Sequence, residues 1–228
     1  MEWHLGEEEN KMSTCKLCSD LESRTLPWNQ PLFESPNFVA LPSLGALVEG
    51  WLLLIPKRHF ISFGAIPSSM HPEINEFKRY LCTMLRQHYG TVAVFEHGPS
   101  MVNRTVGCGV DHAHLHLVPL QFDLATEVFP FLPDSITWSG AGIEGCQDAY
   151  IRSEDYLYLE QPIGSGRLAT HDEFGSQLFR KAIATRLGVH DQYNWHEHTQ
   201  LATVMATIDS VRSWSSEEVG FPNSVVAA

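Results

Sequence analysis

The sequence has few cysteines, few basic residues and no long apolar run. Its 228 residues include five cysteines, and 15 Lys and Arg face 27 Asp and Glu, which gives a formal net charge of −12. This acidic balance argues against binding to a nucleic acid backbone, which requires a basic face. The longest apolar run, WLLLIP, is far shorter than the roughly 18 residues of a membrane helix. Because the N-terminus is polar and acidic, we predict a cytoplasmic protein without a membrane segment.

The glycine-rich patterns of dinucleotide and phosphate-loop sites are also missing, as are internal repeats. The chain is long enough for one large domain, or for a smaller domain with an appendage. Its cysteines are odd in number, and two of them are spaced as Cys15-x-x-Cys18. This spacing indicates metal or redox chemistry rather than a disulfide framework.

The periodicity of the chain predicts an α+β protein with an antiparallel sheet and helices to one side. Predicted strands lie near 37–41 and 51–55, in TVAVFEHG and in VDHAHLHLVPL, and a hairpin covers about 149–170. Predicted helices cover about 71–88, the segment from the capping box Thr170-x-x-Glu173 to Gly188, and TQLATVMATIDSVRSW. We predict a tight knuckle from Cys15 to Asp20.

Three histidines alternate with apolar residues in the last central strand. Alternation in a strand puts His112, His114 and His116 on one face and Ala113 and Leu115 on the other. Imidazole is a costly choice for inert surface but suits metal binding, proton transfer and nucleophilic attack. Two interpretations stay open: the histidines bind a catalytic metal, or the middle histidine attacks phosphorus.

The segment HAHLHLV at 112–118 resembles the histidine-triad (HIT) pattern His-φ-His-φ-His-φ-φ, in which φ is apolar, at all seven positions. The segments EGWLLLIPKRH and FEHG, with a helix between them, are similar to the supporting segments of that family. The resemblance covers about residues 13–122. It implies a curved antiparallel sheet with helices and a catalytic domain over 13–122. Residues 123–228 are then predicted to form an extension packed on it, with a hairpin and two helices.

The resemblance also implies roles for individual residues. His114 would be the nucleophile, His116 would contact the phosphate or its leaving group, and His112 would support His114 or bind a metal. The predicted substrate-binding residues are Glu96, Gly98, Asn103, Gly107, Cys108, Gly109 and Trp51. Two of these depart from the family pattern: Trp51 stands where many members have histidine, and Gly109 stands where many have serine or threonine.

Some members of the family hold a structural zinc ion beside the triad. Their ligands are an N-terminal Cys-x-x-Cys, the histidine that ends the Pro-Lys-x-His segment, and the first triad histidine. The matching residues here are Cys15, Cys18, His59 and His112. Two thiolates and two imidazoles make a closed tetrahedral set that suits Zn²⁺.

The sequence therefore predicts a nucleotidyl hydrolase or transferase that acts through a covalent nucleotidyl-histidine on His114. Its substrate would be a nucleoside phosphate, a dinucleoside polyphosphate or a nucleotide conjugate. The alternatives are a metallohydrolase in which the three histidines bind the metal, and a nucleotide-binding module without catalysis. The extension would complete the pocket, specialise the substrate or form a dimer interface, so a homodimer also stays open.

Overall fold

The computed structural model describes residues 15–102, 104, 107, 109–215 and 226–227. Its α-helices are α1 (Lys16–Ser23), α2 (His71–Tyr89), α3 (Leu124–Val128), α4 (Ile143–Ile151), α5 (Leu178–Arg186) and α6 (Leu201–Ser215). The long helix α2 buries Ile74, Phe77 and Leu81 at helical spacing, and Gly90 ends it with φ +88°. Within the described ranges, no helix combines the length and apolar character that a membrane crossing requires.

The strands form one antiparallel sheet. They are β1 (Phe33–Glu34), β2 (Phe38–Pro42), β3 (Leu52–Pro56), β4 (Val92–Gly98), β5 (Leu115–Pro119), β6 (Ser139–Gly140), β7 (Tyr156–Glu160), β8 (Gly166–Thr170) and β9 (Val226–Ala227). Their order across the sheet is β6-β8-β7-β4-β5-β3-β2-β1-β9. The α+β prediction is therefore confirmed.

The extension adds strands to this sheet as well as helices. Strand β7 pairs with β4, with Phe95 opposite Leu159, and β8 pairs with β7. The main apolar cluster runs through both parts, from Phe38 and Leu54 to Phe179 and Ile208. The division at residues 122 and 123 stays a prediction, because both sides share one sheet and one core.

Several boundaries differ from the predicted ones. The segment predicted as a knuckle is the helix α1, with Cys15 as its N-terminal cap residue. Strand β8 runs through Thr170, which pairs with Tyr156, so the capping box predicted there is wrong and α5 begins eight residues later. Strand β5 begins at Leu115, so His112 and His114 precede it instead of lying within it.

Candidate functional site

His114 lies at the entrance to β5 with its ring half-buried. Its Nδ1 lies 2.6 Å from the backbone oxygen of His112. A carbonyl oxygen can only accept, so Nδ1 of His114 carries the proton and donates it. The neutral ring then keeps a lone pair on Nε2, and the ring lines an open cavity. This is the tautomer that a nucleophilic imidazole requires.

His116 is oriented by Trp51, the residue that departs from the family pattern. The indole Nε1–H of Trp51 donates to Nδ1 of His116 at 3.0 Å. In the neutral ring of His116, the proton must then be on Nε2, which can donate to an anion. Trp51 is fully buried, and it is not among the described residues that line the cavity, so it contacts His116 from behind. The rings of His114 and His116 are 4.9 Å apart, edge to face.

Both of these imidazoles are held in the neutral form. Burial lowers the pKa of His114, and the nearby Arg180 guanidinium lowers it further, against the opposing effect of the hydrogen bond to His112. Burial also takes the pKa of His116 well below its ordinary value, with His114, Arg180 and His97 adding to the effect. At neutral pH the site therefore presents a neutral nucleophile and a neutral donor.

The structure does not bring Glu96 and Gly98 to the histidines. The Glu96 carboxylate accepts hydrogen bonds from the Phe63 backbone N–H at 2.8 Å and from the Tyr156 hydroxyl. A Cβ atom at Gly98 would lie 2.0 Å from the Tyr156 ring, so glycine is required there for packing. Neighbouring residues of a strand point to opposite faces, so it is His97 of the same segment that shares the triad face.

The glycine loop before the triad is tied to the extension. The Gly107 carbonyl accepts hydrogen bonds from Ser176 Oγ and from the Gln177 backbone N–H, both at 3.0 Å. Gly109 has φ +78°, and a Cβ there would lie 3.2 Å from Nε2 of His196. Asn103 and Cys108, which were predicted to bind substrate, lie outside the described residues.

A second group of side chains lies directly beside the triad. Cys15, Cys18, His59 and His112 bring their ligand atoms within 4.8 Å of one another, so this group could bind a metal ion. Helix α1 explains how the two thiols meet, because residues three apart share a helix face. Among the described residues, the group includes His112 but neither His114 nor His116.

The distances in this group fit a zinc-sized ion. Cys15 Sγ and Cys18 Sγ each lie 3.4 Å from Nδ1 of His112, and Cys18 Sγ lies 3.4 Å from Nδ1 of His59. Tetrahedral zinc with ordinary Zn–S and Zn–N bonds separates such ligand atoms by about 3.6 Å. The donor set and these three distances therefore fit a tetrahedral metal site.

The hydrogen bond of His112 Nε2 leaves its other ring nitrogen, Nδ1, able to bind a metal ion. Its Nε2 lies 2.9 Å from the Pro56 carbonyl oxygen and must donate to it, which leaves the Nδ1 lone pair facing the thiols. Burial lowers the pKa of His112 to about 4, against the opposing effect of that hydrogen bond. The backbone of the same residue accepts the hydrogen bond from His114, so one residue connects the two sites.

The extension contributes two residues that were not among the predicted site residues. Arg180 and Trp195 line the cavity together with His114 and His116. A third residue, His97 of β4, is buried, and neither of its ring nitrogens has a hydrogen-bond partner among the described residues. The only sequence signal for these three was their residue type.

Because His97 is buried, we expect the free energy of unfolding to fall in acid. Burial lowers its pKa to about 3, and the nearby His114, Lys181 and Arg180 add to the effect. The unfolded chain binds this proton below about pH 6.5 and the folded chain does not, so acid favours unfolding by roughly 1.4 kcal/mol per pH unit.

We therefore expect His97→Phe to reduce the loss of unfolding free energy between pH 7 and pH 5.5 by roughly 1.3 kcal/mol. Urea denaturation at the two pH values measures it, and His190→Phe at an exposed histidine is the matched control. Equal losses in the His97→Phe and wild-type proteins would show that His97 binds its proton as readily in the folded state as in the unfolded state.

The chain matches one family model, described as "Protein similar to CwfJ C-terminal", over residues 5–129. This span is more than half of the 228 residues and includes the triad and all four residues of the metal-binding group. A search of curated proteins found no match.

Solved structures of similar fold include several histidine-triad proteins. A Hit-like protein involved in cell-cycle regulation from Bartonella henselae is 13% identical, with a TM-score of 0.39, over 47% of this chain and 80% of its own. A HIT family protein from Bacillus anthracis is 18% identical, with a TM-score of 0.39, over 48% and 75%. A hypothetical histidine triad nucleotide-binding protein from Sulfolobus tokodaii is 18% identical, with a TM-score of 0.38, over 61% and 91%.

Proposed function

Because the chain belongs to the family of proteins similar to the CwfJ C-terminal part, which is histidine-triad-like, we propose that it is a nucleotidyl hydrolase or transferase. The resemblance drawn from HAHLHLV is thereby confirmed, and a nucleotide-binding role follows from it in general terms. The observation that carries the specific proposal is the hydrogen bond from Nδ1 of His114 to the His112 carbonyl, because it leaves Nε2 as the reactive atom.

The proposed reaction has two steps at the α-phosphorus of a nucleoside phosphate, a dinucleoside polyphosphate or a nucleotide conjugate. In the first, the Nε2 lone pair of His114 forms an N–P bond while the bond from phosphorus to the leaving group breaks, and the leaving group takes the electron pair. Solvent supplies the proton of the leaving group. In the second, water or another acceptor attacks phosphorus and loses a proton to solvent, the N–P bond breaks with its electron pair returning to Nε2 of His114, and the nucleotide leaves.

His116 stabilises the charge that develops in both steps. Its Nε2–H donates to a phosphate oxygen, and Trp51 holds the ring in that tautomer by donating to Nδ1. Trp51 thus acts as a positioning residue, in the place where many family members have a histidine. Glu96 and Gly98 have no part in this proposal, since their contacts lie with Tyr156.

We propose that the metal-binding group holds a structural zinc ion. Zinc bound by Cys15, Cys18, His59 and His112 would tie α1 to the segment that enters β5 and would fix the His112 backbone that orients His114. The ion would support the structure and take no part in the reaction, since protein side chains would fill all four of its ligand positions. The alternative of a catalytic metal on the three histidines has less support. The lone pair of His116 accepts the hydrogen bond from Trp51, and the lone pair of His112 faces the thiols of Cys15 and Cys18.

Trapping the intermediate tests the proposed reaction. We expect incubation with nucleotides labelled at the α-phosphate, followed by alkaline quenching that preserves a phosphoramidate, to leave one nucleotidyl group on the peptide containing His114. Mass spectrometry of the digest locates the label. Turnover without any label on that peptide would contradict the covalent mechanism, and the absence of turnover across mononucleotides, dinucleoside polyphosphates and nucleotide conjugates would favour the non-catalytic module.

A further inference from the structure

Arg180 is a fully buried cation that the extension brings to the triad. It lies in the first turn of α5 and is 1% exposed. Its Nε donates to the Tyr193 carbonyl at 2.8 Å, and its Nη2 donates to the Gly45 carbonyl. Its guanidinium lies 4.9 Å from the centre of the Trp51 ring. The orientation of the charged group is therefore fixed by three separate parts of the chain.

This cation reaches the cavity in which His114 would react. Arg180, His114 and His116 line the same cavity, and Trp51 lies between Arg180 and His116, with contacts to both. A charge in a cavity wall is screened less by water and salt than a charge on the surface. An anion bound in this cavity would gain more from Arg180 than from an exposed arginine.

The neighbouring imidazole of His97 adds a second observation. Its ring lies 4.9 Å from that of Phe179, the residue before Arg180, so the start of α5 covers His97 and borders the cavity. Both ring nitrogens of His97 are buried without a hydrogen-bond partner among the described residues. A buried polar group of this kind is costly unless a water or ligand atom satisfies it.

We infer that Arg180 binds the phosphate group of the nucleotide on which His114 acts, so that the extension supplies part of the substrate site. This inference rests on the proposed function and names one of its substrate contacts. The planar guanidinium suits a phosphate, because two of its N–H groups can donate to two oxygens of one phosphate. A purely structural arginine would instead serve only to join Gly45 to Tyr193.

A phosphate-binding role and a purely structural role of Arg180 predict different effects on the binding of nucleotides and nucleosides. A phosphate contact strengthens the binding of a 5′-monophosphate and not that of the nucleoside, whereas a structural contact supports both ligands equally. We expect Arg180→Gln to weaken the binding of the preferred 5′-nucleoside monophosphate about 10- to 100-fold and that of its nucleoside less than about twofold. Isothermal titration with four 5′-monophosphates and their nucleosides measures both values.

Arg186→Gln is the matched control, since it removes one cation from the same helix. Arg186 is exposed at the other end of α5, where it pairs with Glu127 at 3.2 Å. The control should bind both ligands as the wild type does. If Arg180→Gln weakens nucleoside and monophosphate equally, or weakens neither, the inference is overturned.

A measurement on the wild-type protein covers the case in which Arg180→Gln does not fold. The Arg180 Nε–H resonance should shift when the monophosphate is added and should stay in place with the nucleoside, while the Arg186 resonance stays in place with both. An unmoved Arg180 resonance in the monophosphate complex would also overturn the inference. If label appears on His114 but Arg180 fails these tests, the proposed function stands alone; if no nucleotide binds or reacts, both fail.

Discussion

Replacing His114 with glutamine is expected to lower the turnover of a nucleotide substrate by about 10⁴-fold or more while the fold is kept. The physical reason is the loss of the Nε2 lone pair that forms the N–P bond. A glutamine amide has similar polarity and volume but is not a nucleophile. The remaining catalysis would come from binding and from the His116 donor, which stay in place.

Single-turnover kinetics with a substrate identified by the trapping screen measures this loss. His190→Gln, which changes an exposed histidine, is the matched control and should turn over at the wild-type rate. A further variant, His114→Ala, opens space at the reacting atom, and added imidazole should restore part of its turnover. Wild-type turnover in His114→Gln would remove His114 from the nucleophile role.

The grouping of the three histidines could be predicted from the sequence because they are only two residues apart in the chain. The alternation of HAHLHLV places its histidines close together whatever the rest of the chain does. The exact start of β5 could not be predicted in the same way, because a strand exists only where a partner pairs with it. The pairing with β3 begins opposite Leu115, and Ala113 instead donates to the Phe60 carbonyl.

The face of β4 that meets the triad could not be read from FEHG. Both faces of β4 are buried, so its residues show no polar and apolar alternation to mark the inner face. Glu96 was predicted to bind substrate, yet its carboxylate accepts from Tyr156, which comes from the extension. His97, its neighbour, shares the face of Phe95, whose ring stacks on His116 at 4.6 Å.

The position of Arg180 at the site could not be predicted from the sequence either. It is 66 residues after His114 in the chain, and an arginine in a helix usually lies in solvent. The ring of Phe179 packs against that of Phe95 in β4, and this long-range contact helps to bring the neighbouring guanidinium to the cavity. Residues joined by tertiary packing leave no periodic signal in the sequence, which is why no single residue of the extension could be assigned to the site.

Removing the proposed zinc site is expected to have the largest effect on stability. We expect the wild-type protein to carry about one zinc ion per chain and the Cys15→Ser, Cys18→Ser double variant to carry none. A structural site with free zinc at about 1,000 times its Kd stabilises the fold by about 4 kcal/mol. For a chain of this size, such a loss lowers Tm by roughly 8–16 °C.

Metal analysis by mass spectrometry and thermal unfolding with and without a chelator check this result. The chelator should lower the Tm of the wild type and leave that of the double variant unchanged, because only the former has an ion to lose. Cys82→Ala is the matched control, since it removes a buried thiol outside the metal-binding group and should keep the zinc. A double variant that still binds one metal ion per chain would contradict this site and would favour metal binding by the three histidines. A double variant without metal that still places label on His114 would show that the ion holds α1 and His112 in position and takes no part in bond formation.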